Sequence, residues 1–234
     1  MAAVALREVH APDNRATALS RGEVISRYRR LREISKQHHS GAMDFLSPDA
    51  ILHHARGLGV ARGKTLVLGD MDEMVFVFDL AIFTAPPSRS RAIDRYAKSA
   101  RLAAGSDEAL VLEAMRDARF ALVSVDRRHD AAGVIVTDLI RGTEHWLVDE
   151  GLESSLPDGS MLATRLYTPD SFSMTAGVVV PFDLELMEDL LCEVPQIGRK
   201  QLRAAIDDRR FAEAVYRVAI ADGIMDRVVL KDPE

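Results

Sequence analysis

Two pairs of histidines are the first residues here whose type and spacing could do chemistry. His38 and His39 close one helical pattern, and His53 and His54 lie in the next. If those helices form an antiparallel hairpin, His39 and His53 could share a metal ion, since imidazole nitrogen is a common ligand for zinc. Neighbouring residues on a helix point about 100° apart, so one histidine of each pair at most faces inward. No Asp or Glu stands four residues after either pair, and no H-E-x-x-H occurs. The plainer reading has His38 or His39 complementing a helix C-terminus and His53 and His54 packing locally. A second group, Asp70, Asp72, Glu73 and Asp79, carries the carboxylates that divalent-metal and phosphoryl chemistry need. Gly63-Lys64-Thr65 precedes it, but a phosphate loop needs Gly five residues before Gly63, and that residue is Leu58. These acids suit a helix N-terminus instead. Ser154, Ser155, Ser171 and Ser173 have no nucleophile-elbow context, and nothing ties His129 or His145 to them. No catalytic residue and no cofactor is expected.

Binding is better represented. Residues 15–36 hold seven Arg or Lys and two Glu, a balance of +5, so the rest of the chain carries -11 of the net -6. Arg27, Arg29, Arg30, Arg32 and Lys36 fall on the polar side of one amphipathic helix and could contact phosphates of a nucleic acid. The alternative is a face docked on the acidic body of this chain or of a second copy. In the β-rich segment, Trp146 is the only Trp; with Asp138 and Arg165 it forms a candidate binding face. Asp138 and Arg165 are expected to pair across the sheet.

The elements that must position these residues follow from breakers and periodicity. Ser20 with Glu23 has capping-box spacing, and Val24, Tyr28, Leu31 and Ile34 follow at helical intervals to about His39. Ser47-Pro48 opens a second helix. Residues 60–69 read as a loop. Asp70–Thr84 reads as a buried helix despite Val75–Phe78, because its acids sit where a helix N-terminus favours negative charge. Helices over 88–104 and from Ser106 follow. Five short apolar or alternating runs come next: Phe120–Asp126, Val134–Leu139, Glu144–Asp149, Met161–Thr168 and Phe172–Pro181. Arg141-Gly142 and Pro157-Asp158-Gly159 are turn signals between them. Five strands with tight connections predict a small antiparallel, barrel-like unit. Helical patterns resume at Leu184–Leu191, Gln196–Asp207 and Arg210–Ala221, with Gly223 as a stop.

The chain has 234 residues, 47% hydrophobic, enough for a substantial core. Cys192 is the only Cys, so no intramolecular disulfide and no cysteine-rich zinc site can form. No apolar run reaches the roughly 18 residues of a membrane helix, and the first residues lack a signal-peptide pattern. A cytoplasmic protein without membrane partners is expected.

Residues 71–180 resemble the region that accompanies the SEC-C zinc motif in a group of uncharacterised bacterial proteins. The likeness rests on Phe76, Phe78, Asp79 and Phe83, then Ile93 and Tyr96, then "GVIVTDLIRGTEHWLVDE" and "LPDGSMLATRL". A "D-L-x-x-G" hairpin, here Asp138, Leu139 and Gly142, leads to a "G-x-x-L-x-x-R" strand, here Gly159, Leu162 and Arg165. It implies a bacterial source and a fold arrangement. Zinc binding does not carry over, because the motif's cysteines are missing.

The expected architecture is α+β. A loose segment 1–19 precedes a helical region 20–118, a β unit 119–182, C-terminal helices 183–228 and a tail 229–234. The expected role is a binding or adaptor module that self-associates or takes a protein partner. A nucleic-acid-binding regulator and a small metal-dependent enzyme are the alternatives.

Overall fold

The computed structural model describes residues 19–227. Of the loose segment expected over 1–19, residues 1–18 lie outside the described residues, as does the whole of the expected tail 229–234. Five helices come first: α1 (Arg21–Met43), α2 (Pro48–Gly57), α3 (Met71–Phe83), α4 (Ala92–Ser99) and α5 (Asp107–Arg116). Their starts are those that local chemistry demands. Ser20 and Glu23 form the capping box, and Ser47, Asp70 and Ser106 each accept a backbone N–H of the first turn. α3 is a helix in spite of its β-branched and aromatic run, because Asp70 caps it and its apolar residues find partners on two sides. Between α2 and α3, Ala61–Arg62 pairs with Thr65–Leu66 in a short antiparallel hairpin where a loop was expected.

The sheet contains β1 (Arg119–Arg128), β2 (Val134–Asp138), β3 (Glu144–Leu147), β4 (Met161–Tyr167) and β5 (Met174–Phe182). All its ladders are antiparallel, and the spatial order is β3-β2-β1-β4-β5. β1–β3 form a meander, and β4 returns to lie beside β1, which is a Greek key. β1 is shared: Arg119–Ser124 pair with β4, and Val123–Arg128 pair with β2 across a register shift between Val125 and Arg127. Such a shift bends a strand and increases its twist.

Alternation along β1 sorts the two faces. Ala121, Val123 and Val125 join Val134, Val136, Leu147, Leu162 and Leu166 on the inner face. The connection from β3 to β4 contains a short helix absent from the sequence-based expectation, α6 (Glu150–Ser155), whose Leu152 plugs one end of this inner core with Leu156 beside it. Phe120, Leu122, Ala163, Val178 and Val180 face the other way, onto α3, α7 (Leu184–Glu193) and α9 (Phe211–Asp222). α1, α4 and α5 enclose a neighbouring core with Tyr167, Phe172 and Met174.

The expected barrel is not formed; the sheet is open. β3 is four residues long and turns at once into α6, so it cannot run beside the nine residues of β5. One parallel bridge, Leu147 to Ser173, ties the two edges at a corner, through Val148 N–H to Ser173 O at 3.0 Å and Ser173 N–H to Trp146 O at 2.7 Å. Gly133 enables the close approach of β2 to β3. Its φ is +77°, and a Cβ there would stand 2.3 Å from the Leu147 carbonyl oxygen.

The expected helix over 196–207 is reduced to a 3-10 turn at Val194–Ile197 and one turn of α8 (Leu202–Ala205). Gly198, at φ +79°, breaks the segment. Gly223 ends α9 as expected, in the left-handed region. Among the described residues no helix is long and apolar enough to cross a membrane.

Candidate functional site

The basic face of α1 is docked on this chain's own acids. Arg21 meets Glu153, Arg29 forms two hydrogen bonds to Glu150, and Arg27 bridges Asp107 and Asp170. Arg30 also reaches Asp107, and the Arg32 guanidinium donates to the Thr175 carbonyl. Lys36 has only Glu33 of its own helix, at 3.5 Å. A guanidinium so engaged must lose a carboxylate before it can hold a phosphate.

The histidines are not brought together. His38 is buried; its Nε2 lies 2.8 Å from the Glu108 carbonyl, and its Nδ1 lies 3.0 Å from the Tyr96 hydroxyl. A carbonyl only accepts, so Nε2 carries the proton and Nδ1 accepts from Tyr96. His39 donates from Nδ1 to the Ser35 carbonyl, 2.9 Å away, with its ring edge-on to Phe83 and its Nε2 buried without a partner. Burial pushes both imidazoles below their ordinary value. The unfolded chain therefore takes up protons first as pH falls below about 6.5. The stability these neutral rings contribute is complete above that pH and declines below it. Urea unfolding from pH 7.5 to 5.0 is expected to show that decline, and His38→Gln with His39→Gln is expected to flatten it; an unchanged slope would refute the assignment.

His53 and His54 line a separate cavity of about 460 Å³ with Thr84. His54 Nε2 is 3.5 Å from Thr84 Oγ1, and its Nδ1 is 3.9 Å from Glu213 Oε2. Both distances are long for a nucleophile, base and orienter, and the Thr84 hydroxyl already donates to the Leu80 carbonyl at 2.7 Å. Among the described residues no three or more His, Cys, Asp or Glu side chains are grouped to hold a metal ion.

Asp138 and Arg165 do not pair as expected. Asp138 turns back into its own hairpin, where Oδ1 accepts the N–H groups of Ile140 and Arg141 and Oδ2 accepts from the Arg141 guanidinium at 2.7 Å. Arg165 reaches out of the sheet to Asp79 of α3, with two hydrogen bonds of 3.0 and 2.8 Å. The Tyr216 hydroxyl of α9 donates to the same carboxylate at 2.9 Å. Asp79 and Arg165 are each 5% exposed, and Tyr216 is fully buried. Burial by itself would lower the Arg165 guanidinium, but the charge and hydrogen bonds of Asp79 outweigh it and raise it. Burial and then the Asp79 charge push the Tyr216 phenol well above its ordinary value, so it stays a donor. Trp146 is no open platform: its indole N–H donates to the Ala132 carbonyl at 2.8 Å, and His129 stacks on it at 4.0 Å.

Two adjoining cavities remain at the end of the sheet opposite α6. The first, about 500 Å³, is the mouth of the curled sheet; Ala121 and Leu166 of the inner face line it, with Asp138, Thr143, His145 and Thr168 around them. The second, about 450 Å³, lies between the sheet, the end of α3 and the α8–α9 connection, against Phe83, Phe120 and Ala212. Arg119 and Arg141 border both. Arg141 is bound to Asp138 and Asp207; burial would lower its guanidinium, and these two carboxylates more than reverse that. Sequence reasoning read Arg141 only as part of a turn and did not single out Arg119 or Arg209 of the second cavity, since the three stand 22 and 68 positions apart and only the fold joins them.

A family model described as a family of unknown function, DUF7986, matches residues 22–227. The match brings no SEC-C association with it. No curated protein and no solved structure matches the chain.

Proposed function

This chain belongs to the DUF7986 family, and we propose that it works as a binding module whose ligand sits in the mouth of the curled sheet. One observation carries the reading. α6 plugs one end of the inner face, whereas the other end opens into a cavity of about 500 Å³ with an apolar floor and a polar rim. Ligand sites are typically concave, with few polar groups on an apolar lining, and the mouths of curled sheets are a recurrent place for them. Thr143, His145 and Thr168 supply such groups. The loose Thr84–His54–Glu213 arrangement and the engaged side chains of α1 lend little to the enzymatic and nucleic-acid readings.

The test is native mass spectrometry of protein purified from cells without chelators. A small-molecule mass should accompany the wild type and be lost from Thr143→Trp, which fills the mouth from its rim. A bare mass in the wild type, or an adduct that Thr143→Trp retains, would count against the reading.

A protein partner is a second reading, favoured by the outer side of α7. Leu184 is 75% exposed there, with Leu191 two turns on and also exposed, while Leu186 and Leu190 face the core. Phe211–Ala219, the apolar run of α9, is buried in the core and cannot serve.

A further inference from the structure

We propose that the ligand is a small organic anion, whose carboxylate or phosphate group is held by Arg119 and Arg209 in the second cavity; this rests on the binding-module reading above. Four arginines line that cavity: Arg119, Arg141, Arg165 and Arg209. Two of them are satisfied inside the fold, Arg165 by Asp79 and Arg141 by Asp138 and Asp207. Arg119 and Arg209 have no side-chain hydrogen bond and no ion pair among the described residues.

The carboxylates on the same wall do not neutralise them. Asp207 is bound to Arg141, and Asp208 is bound to Arg210 with Arg199 nearby. Hydrogen bonds from Arg210, ahead of the opposing effect of burial, hold the Asp208 carboxyl below its ordinary value. Asp117 lines the first cavity and not the second. Arg119 and Arg209, both exposed, thus leave two positive charges without a counter-ion among the described residues at this cavity, on a chain whose net charge is -6. Guanidinium is suited to this task, because its planar donors match the paired oxygens of a carboxylate or phosphate.

The geometry also limits the ligand's size. Arg119 and Arg141 line both cavities, so the anion site adjoins the mouth around the start of β1. A recess of about 450 Å³ suits a small molecule rather than a polymer. A phosphomonoester or a small carboxylic acid is the matching class.

Isothermal titration calorimetry at low salt, with inorganic phosphate, glycerol phosphate and citrate as probes, tests the inference. Saturable one-to-one binding of at least one probe is expected, and which one binds separates phosphate from carboxylate sources. Arg119→Gln and Arg209→Gln are each expected to weaken it about tenfold or more, the usual effect of losing a hydrogen bond to a charged group. Neither arginine side chain has a partner among the described residues, so both variants should keep the wild-type melting temperature in anion-free buffer; Arg62→Gln, on the hairpin before α3, should bind as the wild type does. No binding by any probe, or equal binding by the two cavity variants, overturns the proposal. If Thr143→Trp nevertheless strips a copurified small molecule, the binding module stands and only the anion assignment falls.

Discussion

Replacing Arg165 by Met is expected to lower the unfolding free energy by about 3–5 kcal/mol, the usual cost of leaving one member of a buried ion pair alone. Arg165 lies between Phe83 and Phe120, with its guanidinium 4.8 and 5.6 Å from their ring centres, and its charge is answered only by Asp79. Without it, the Asp79 carboxylate keeps a single side-chain donor, Tyr216. The chain must then either hold a bare charge in its core or protonate it. The double variant Asp79→Leu with Arg165→Met is expected to regain most of the loss, since an apolar pair of similar volume removes both charges together. Tyr216 would then need a new acceptor, so full recovery is not expected. Urea unfolding of the two single variants and the double variant gives the coupling energy directly. A coupling under about 1 kcal/mol would mean that the pair is hydrated and does not tie α3, β4 and α9 together.

Phe76→Ala should cost a similar amount, about 3–5 kcal/mol, through a different mechanism. Phe76 is 1% exposed on α3 and stacks on Tyr216 with ring centres 4.4 Å apart and planes 2° from parallel. Its loss leaves a cavity in the largest core and removes the surface that holds the Tyr216 ring in line with Asp79. Phe76→Leu keeps most of the volume and is expected to cost clearly less. Chemical denaturation of the two variants checks this. Equal losses would show that ring stacking, rather than filled volume, sets the cost. The two positions share Tyr216, so their effects should not add.

What the sequence determined by itself was local. Capping residues and turn glycines act over three or four positions, so Ser20, Ser47, Asp70, Ser106 and Gly223 could be read directly as helix boundaries. Short apolar or alternating runs between turn signals likewise marked all five strands, because a strand buried on one or both faces needs only four to ten residues to show its pattern. α6 escaped notice because six residues hold under two turns, too few to show a period. Whether the sheet closes was decided by the length of β3 and the turn into α6, which no single strand's pattern contains. Charge pairing was also tertiary. The excess of arginine on α1 was visible in composition, but only the fold brings Glu150, Glu153, Asp107 and Asp170 to meet it. Asp138 and Arg165 looked like natural partners on facing strands. Side chains on opposite faces of a pleated sheet cannot meet, however, and each found its counter-ion elsewhere: Asp138 three residues along its own turn, Arg165 on a helix 86 positions away. The candidate site belongs to the same class. Arg119 starts a strand and Arg209 precedes a helix, and their shared cavity exists only because the Greek key and the α8–α9 connection converge there.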